Sequence, residues 1–129
     1  MIRLKEIQLG LVTLVIIMVM AAGVPSSEEG KKIYQKNCIH CHMEDGQGLP
    51  GVFPPVVSLD YYQTDLGRAI KSMSAGVSGE LVVNGKKYFG VMSPSGLTDQ
   101  QMADVMNYLL KQSSINRTLS AEDVAKLKQ

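Results

Sequence analysis

Both cysteines and both histidines of the chain fall within residues 38–42, as Cys38, His40, Cys41 and His42 in the string NCIHCHMEDG. Three chemistries use such a concentration of thiol and imidazole: a zinc site, a redox dithiol, or covalent attachment of haem. A structural zinc site takes four tetrahedral ligands, usually paired from two separated segments. No second pair of Cys or His follows residue 42. A redox Cys-x-x-Cys usually stands at the strand-to-helix junction of a βαβ unit, whereas SSEEGKKIYQKN ahead of Cys38 reads as a helix opening. A plain Cys38–Cys41 disulfide is the bland alternative, favoured by an oxidising compartment. Haem attachment uses the whole string. Two thiols three positions apart each add to a vinyl group of one porphyrin, and His42 follows where its imidazole reaches the iron. Cys-x-x-Cys-His reads as c-type haem attachment. His40 fills the variable position and is expected to meet solvent or backbone.

An iron with one imidazole has a second face, and eight methionines compete for it. Met1, Met18 and Met20 belong to the apolar N-terminal segment. Met43 follows His42 directly and would have to reach around the porphyrin. Met102 and Met106 lie on the apolar face of a helix, where methionine ordinarily fills core gaps. Met73 and Met92 remain. Met73 repeats at helical spacing with Leu66, Ala69 and Ile70, which is the mark of a core position. Met92 stands in YFGVMSPSG, a stretch broken by Gly90, Pro94 and Gly96 and read as a loop.

The chain resembles the class I cytochrome c family over roughly residues 26–112. Cys-x-x-Cys-His carries the resemblance, together with Gly30 and Tyr34 ahead of it and LTDQQMADVMNYLLK, with Tyr108, near the other end. The resemblance implies an all-α fold of helices around one covalently bound haem c, attached through Cys38 and Cys41, with His42 as proximal iron ligand. It implies that the first and last helices of the domain cross, the glycine letting the aromatic rings approach. It implies a proline carbonyl that accepts the second ring N–H of the axial histidine, a bond that orients the imidazole and raises its basicity. Pro54, twelve residues past His42, fits that role, with Pro55 as the fallback. The family's distal methionine lies in a segment like that of Met92, often as a Met-Pro pair. Here Ser93 intervenes before Pro94, and Met92 is still the expected distal iron ligand.

Local signals supply the elements that position these residues. Ser26 or Ser27 can cap a first helix that opens with Glu28 and Glu29 at its positive dipole end. Leu66, Ala69, Ile70 and Met73 mark a second helix, with Gly76 as its stop. Thr98 and Gln101 form a capping box ahead of Met102, Val105, Met106 and Leu109. A short tail helix is expected from Ser120, with Asp123 as its weaker box partner. EDGQGLPGVFPPVV holds three glycines and three prolines and reads as loop. Asn84-Gly85 between apolar stretches predicts a type I′ hairpin near 81–88. Leu49, Val52, Phe53, Val56, Leu97 and Val105 are the expected apolar lining of the haem pocket.

The length of 129 residues suits one domain, and a formal net charge of +1 argues against nucleic acid as a partner. Leu9–Val24 runs without a charge behind Arg3 and Lys5. As a helix it would be about 24 Å long against a hydrocarbon core of about 30 Å, and Ala21, Ala22 and Gly23 offer a cleavage site. Residues 1–23 are therefore expected to be an export signal or an uncleaved anchor, with membrane contact through residues 7–24. Either way residues 26–112 form the haem domain and 113–129 a C-terminal extension, exported to the periplasmic side. Without residues 1–23 the chain is formally neutral, so charge does not choose its partner. The expected function is electron transfer as a mono-haem carrier, not catalysis. Its expected partners are redox proteins such as a quinol-oxidising complex and a terminal oxidase or reductase. The alternative is a haem enzyme or gas-binding protein with a labile distal ligand.

Overall fold

A computed structural model describes residues 26–129. The expected signal or anchor at residues 1–23, and the membrane contact through 7–24, lie outside the described residues. No described helix is long and apolar enough to cross a membrane. The described chain forms six helices and one antiparallel hairpin: α1 Ser27–Asn37, α2 Ile39–His42, α3 Tyr61–Thr64, α4 Leu66–Ala75, β1 Val77–Val83, β2 Lys86–Met92, α5 Asp99–Gln112 and α6 Ala121–Leu127.

Ser26 caps α1, its hydroxyl accepting from the Glu29 N–H, and Glu28 and Glu29 occupy the first turn. The buried positions Gly30, Ile33 and Tyr34 lie one turn apart and face α5. A Cβ at Gly30 would stand 2.0 Å from the Asp104 carbonyl oxygen, so only hydrogen fits at this crossing. One turn on, the Tyr34 and Tyr108 rings meet at 5.6 Å between centroids, tilted by 46°. The Asp104 carboxylate accepts from the Ser26 N–H at 2.8 Å, tying the start of α1 to the same helix.

α5 begins with the capping box of Thr98 and Gln101 and buries Met102, Val105, Met106, Leu109 and Leu110. Asp65 caps α4, which buries Leu66, Ala69, Ile70 and Met73 and stops at Gly76. The tail is integrated into the core: Leu119 and Val124 are fully buried. Asn107 on α5 holds Leu119 at both backbone groups, its amide donating to the carbonyl at 2.9 Å and its oxygen accepting from the N–H at 2.8 Å. Ser120 and Asp123 then form a complete capping box for α6.

The hairpin turns at Asn84 and Gly85, both at positive φ as a type I′ turn requires. It is longer than the expected span near 81–88, running from the pair Val77 and Met92 to the pair Val83 and Lys86. Phe89, Gly90 and Val91, expected in loop, are strand, and Met92 is its last residue. Gly90, which suggested a break, pairs with Gly79 across the ladder, and the first proline, Pro94, comes only after β2 ends. The register keeps its donors throughout. Short α3, which buries Tyr61 and Tyr62, is a second element absent from the expectation.

Candidate haem site

Cys38 ends α1, its N–H donating to the Tyr34 carbonyl, and α2 is a single turn that carries Cys41 and His42. Residues three and four apart share a helix face, so the two thiols lie together with the imidazole beside them. Both cysteines are free thiols. Burial, then the neighbouring Cys41, pushes the Cys38 thiol up to about 11. A redox dithiol needs the opposite shift, because its attacking sulfur is activated by a lowered pKa. His40 is exposed, in keeping with a position that binds nothing.

His42 is buried, at 8% exposure. Its Nδ1 lies 2.9 Å from the Pro54 carbonyl oxygen. A carbonyl can only accept, so Nδ1 carries the hydrogen and Nε2 keeps its lone pair for a metal. Burial holds the imidazole below its ordinary pKa and so favours the neutral ligand form, and the Pro54 bond only partly opposes it. Pro55 is not used.

The loop after His42 is built to bring Pro54 back to it. Met43, at φ 63° and ψ 168°, turns the chain out of the helix through a region otherwise reserved for glycine. The Gly48 N–H then donates to the His42 carbonyl at 3.0 Å, and Leu49 and Phe53 pair across a tight turn. Gly48 sits at φ 66°, where a Cβ would stand 2.3 Å from the Phe53 carbonyl and 2.5 Å from that of Pro54. At Gly48 the loop packs closely against itself. The Val56 and Val57 N–H groups both donate to the Gly46 carbonyl and close the loop.

Two tyrosine hydroxyls hold this loop from beneath, a role sequence reasoning missed. The Tyr34 hydroxyl donates to the Met43 carbonyl at 2.6 Å, with the His42 carbonyl 3.3 Å away. The Tyr62 hydroxyl donates to the Val56 carbonyl at 2.5 Å. Burial, the leading cause for both, raises their pKa far above the ordinary tyrosine range, so both remain donors. Tyr34 was legible as an aromatic at a helix crossing, but nothing local announces where its hydroxyl points. For Tyr62 the sequence carried no signal.

Met92 lies at the end of β2. Residues paired across an antiparallel ladder share a face, which repeats every second residue. Met92 is therefore on the face of Tyr88, Leu81 and Val83, which are buried or half-buried, while Phe89 and Val91 face solvent. It is nonetheless 37% exposed. The Ser95 N–H donates to the Met73 carbonyl, and the Met92 carbonyl and Pro94 pack against Gly76, so Ser93 leaves the segment tied to α4. Met73 itself is buried in the core.

Of the expected lining, Val105 is buried and Phe53, Val56 and Leu97 are half-buried. Leu49 and Val52 show 44% and 50% exposure, apolar surface on the same loop that carries Pro54. Two free thiols on one turn, a neutral imidazole with Nε2 available and apolar side chains on the adjoining loop fit a covalently held haem.

The family model for cytochrome c matches residues 27–113. A cytochrome c-552 of Thermus thermophilus is 32% identical over 127 residues, covering 90% of this chain and 85% of the relative. A second T. thermophilus cytochrome c-552 sequence is 35% identical over 111 residues, covering 78% of this chain and 84% of the relative. The cytochrome c subunit of a quinone alcohol dehydrogenase from Gluconobacter oxydans is 35% identical over 104 residues, which cover 77% of this chain but 22% of that subunit. The chain belongs to the cytochrome c family, a family that implies one covalently bound haem c, here at the Cys-x-x-Cys-His of Cys38, Cys41 and His42.

Proposed function

We propose that the protein is a mono-haem electron carrier of an exported or membrane-associated respiratory chain. In this reading Cys38 and Cys41 are the haem thioethers, His42 is the proximal iron ligand and Met92 the distal one. Family membership supports electron transfer in general. The observation that carries the ligand assignment is the His42–Pro54 hydrogen bond, which leaves Nε2 as the only ring atom able to bind a metal.

When bound, the haem supplies an iron that takes up or gives back one electron. His42 keeps one tautomer and one ring orientation because Pro54 holds its other nitrogen. Met92 offers a soft thioether, which favours the ferrous state and raises the potential above that set by harder donors. Leu49, Val52, Phe53, Val56 and Leu97 keep water from the group, and a dry surround penalises the more highly charged oxidised form. With His42 and Met92 both given to the iron, the haem would move electrons and offer no site to a small-molecule substrate.

Redox proteins are the expected partners. The Gluconobacter relative is a subunit of a quinone alcohol dehydrogenase by name, which supports exchange of electrons with a redox enzyme. A quinol-oxidising complex and a terminal oxidase or reductase fill the two ends in this reading, and the N-terminal apolar run supports a place outside the cytoplasm.

The test is the absorption spectrum of matured protein in both oxidation states, with and without carbon monoxide. A low-spin spectrum unchanged by carbon monoxide is the expected result. Rapid carbon monoxide binding by the unmodified protein would instead support a haem enzyme or gas-binding protein. Met92→Ala should open the iron and lower its potential, whereas Met73→Ala should only loosen packing. The reverse pattern would reassign the distal ligand.

A further inference from the structure

The geometry points to Tyr34 and Tyr62 as positioning residues of the axial imidazole, acting through their hydroxyls on the two backbone segments that hold His42. The inference rests on the reading of His42 as an iron ligand. Each hydroxyl meets one half of the His42–Pro54 pair. On the first side, Tyr34 donates to the carbonyl of Met43, the residue directly after the ligand, at 2.6 Å. Met43 is the residue in the strained conformation, at φ 63° and ψ 168°. A non-glycine residue keeps such a conformation only when its surroundings over-determine it. The Tyr34 hydroxyl is one such constraint, the Gly46 N–H on the same carbonyl at 3.2 Å another, and the Gly48 N–H on the His42 carbonyl a third.

On the second side, Tyr62 donates to the Val56 carbonyl, two residues past Pro54. The intervening Pro55 has its φ locked by its ring, and a residue before proline is confined to extended backbone. Pro54-Pro55-Val56 is thus a stiff strut, and pinning Val56 at one end fixes the direction of the Pro54 carbonyl at the other. The Tyr34 and Tyr62 rings are almost completely buried, at 1% and 2% exposure, so neither hydroxyl is free to wander. Phenylalanine would fill both ring sites. Only the hydroxyls reach the loop, so packing alone does not call for tyrosine at either position.

The experiment compares matured holoprotein with its Tyr34→Phe, Tyr62→Phe and doubly substituted forms, by amide hydrogen exchange and by NMR of the oxidised protein. Loss of the Tyr34 hydroxyl should speed exchange of the Gly48 amide about tenfold, and loss of the Tyr62 hydroxyl that of the Val56 and Val57 amides by a similar factor. The Met106 and Leu110 amides in the middle of α5 should exchange as in the parent. Each substitution should also move the iron-shifted ring signals of His42, and the double variant should move them by more than the two changes added, because the hydroxyls share one target. Tyr62→Phe, which leaves the Tyr34–Tyr108 contact at the helix crossing in place, carries the test if Tyr34→Phe does not mature. A uniform rise in exchange through α5 and the loop, or ring signals indifferent to both substitutions, would overturn the positioning role. Parent protein whose His42 ring shows no iron shift would overturn the ligand assignment itself, a different failure visible before any substitution is made.

Discussion

Replacing Gly30 with alanine sets two effects of opposite sign against each other, and the structure decides between them. Alanine is favoured over glycine in a helix interior by about 1 kcal/mol. Against this, the added Cβ would lie 2.0 Å from the Asp104 carbonyl oxygen, 2.5 Å from its carbon and 2.9 Å from the Tyr108 Cβ. Overpacking of a tight core costs about 1–3 kcal/mol when side chains can adjust. Here the nearest atoms are helix backbone, which has no rotamer to change. Relief requires α1 and α5 to move apart by about 1 Å, because non-bonded carbon and oxygen atoms need more than 3 Å. That separation also stretches the 2.8 Å bond between the Ser26 N–H and Asp104 and loosens the Tyr34–Tyr108 contact. With the cost at the upper end of its range, the net effect is destabilisation by about 2 kcal/mol. For a domain of this size that lowers the melting temperature by about 8–16 °C.

The assay is thermal unfolding of the holoprotein, followed by circular dichroism and by haem absorbance. Gly67→Ala is the internal control. That glycine also lies in a helix, α4, but the nearest atom to its Cβ position is a side-chain oxygen, of the Asp65 carboxylate, at 3.3 Å, and no backbone atom comes closer than 3.6 Å. There the helix preference is nearly unopposed, and the melting temperature should hold or rise. If Gly30→Ala melts with Gly67→Ala, or above the parent, then close approach of two helices is not what Gly30 provides.

Three further outcomes follow from single contacts. Gly48→Ala would push the Pro54 carbonyl off His42, and an imidazole that loses this acceptor becomes less basic; the reduction potential, read by redox titration, should rise. Asn107→Ala leaves the buried N–H and C=O of Leu119 without partners and should cost about 2–3 kcal/mol in denaturant unfolding, with α6 amides exchanging first. The Asp123 carboxyl is held below its ordinary pKa by the Ser120 N–H and hydroxyl, so its contribution to the start of α6 is present above the unfolded value and lost as pH falls through the depressed one. Exchange of α6 amides should therefore quicken in acid below about pH 4, and Asp123→Asn should remove that pH dependence.

What could be read from the sequence was local. The Cys38–His42 string, the capping pairs Thr98 with Gln101 and Ser120 with Asp123, and the helical spacing of Leu66 to Met73 each lie within a few residues, and each is present as expected. The Gly30, Tyr34 and Tyr108 crossing is not local and was available only through family resemblance. The misses share the converse property. Gly90 looked like a break because glycine weakens an isolated strand, but paired with Gly79 in a fixed register it interrupts nothing. Asn107 is one polar residue on a helix otherwise read for its apolar face, and its value lies in a backbone twelve residues away. Tyr62 gave no pattern at all, since a hydroxyl that meets a carbonyl leaves no periodic trace.

The same distinction divides the site. Cys38, Cys41, His42 and Pro54 lie within seventeen residues, bound by a turn of helix, a loop closed on Gly46 and two buried hydroxyls. Few rearrangements of the rest of the molecule would disturb them. Met92 depends on more distant choices. Its face is set by a ladder that starts at Asn84-Gly85, eight residues earlier, and a slip of one residue would exchange it with solvent-facing Val91. Its end of the strand is held by α4 through Gly76 and the Ser95–Met73 bond. Met73 thus serves Met92 through its backbone carbonyl, while its own side chain stays in the core. The thiols and imidazole sit on the locally determined half, as irreversible attachment during maturation favours. The Met92 thioether, in the proposed assignment a weaker and reversible donor, is placed by the tertiary fold, so distal ligation would report on the integrity of the hairpin and α4 together.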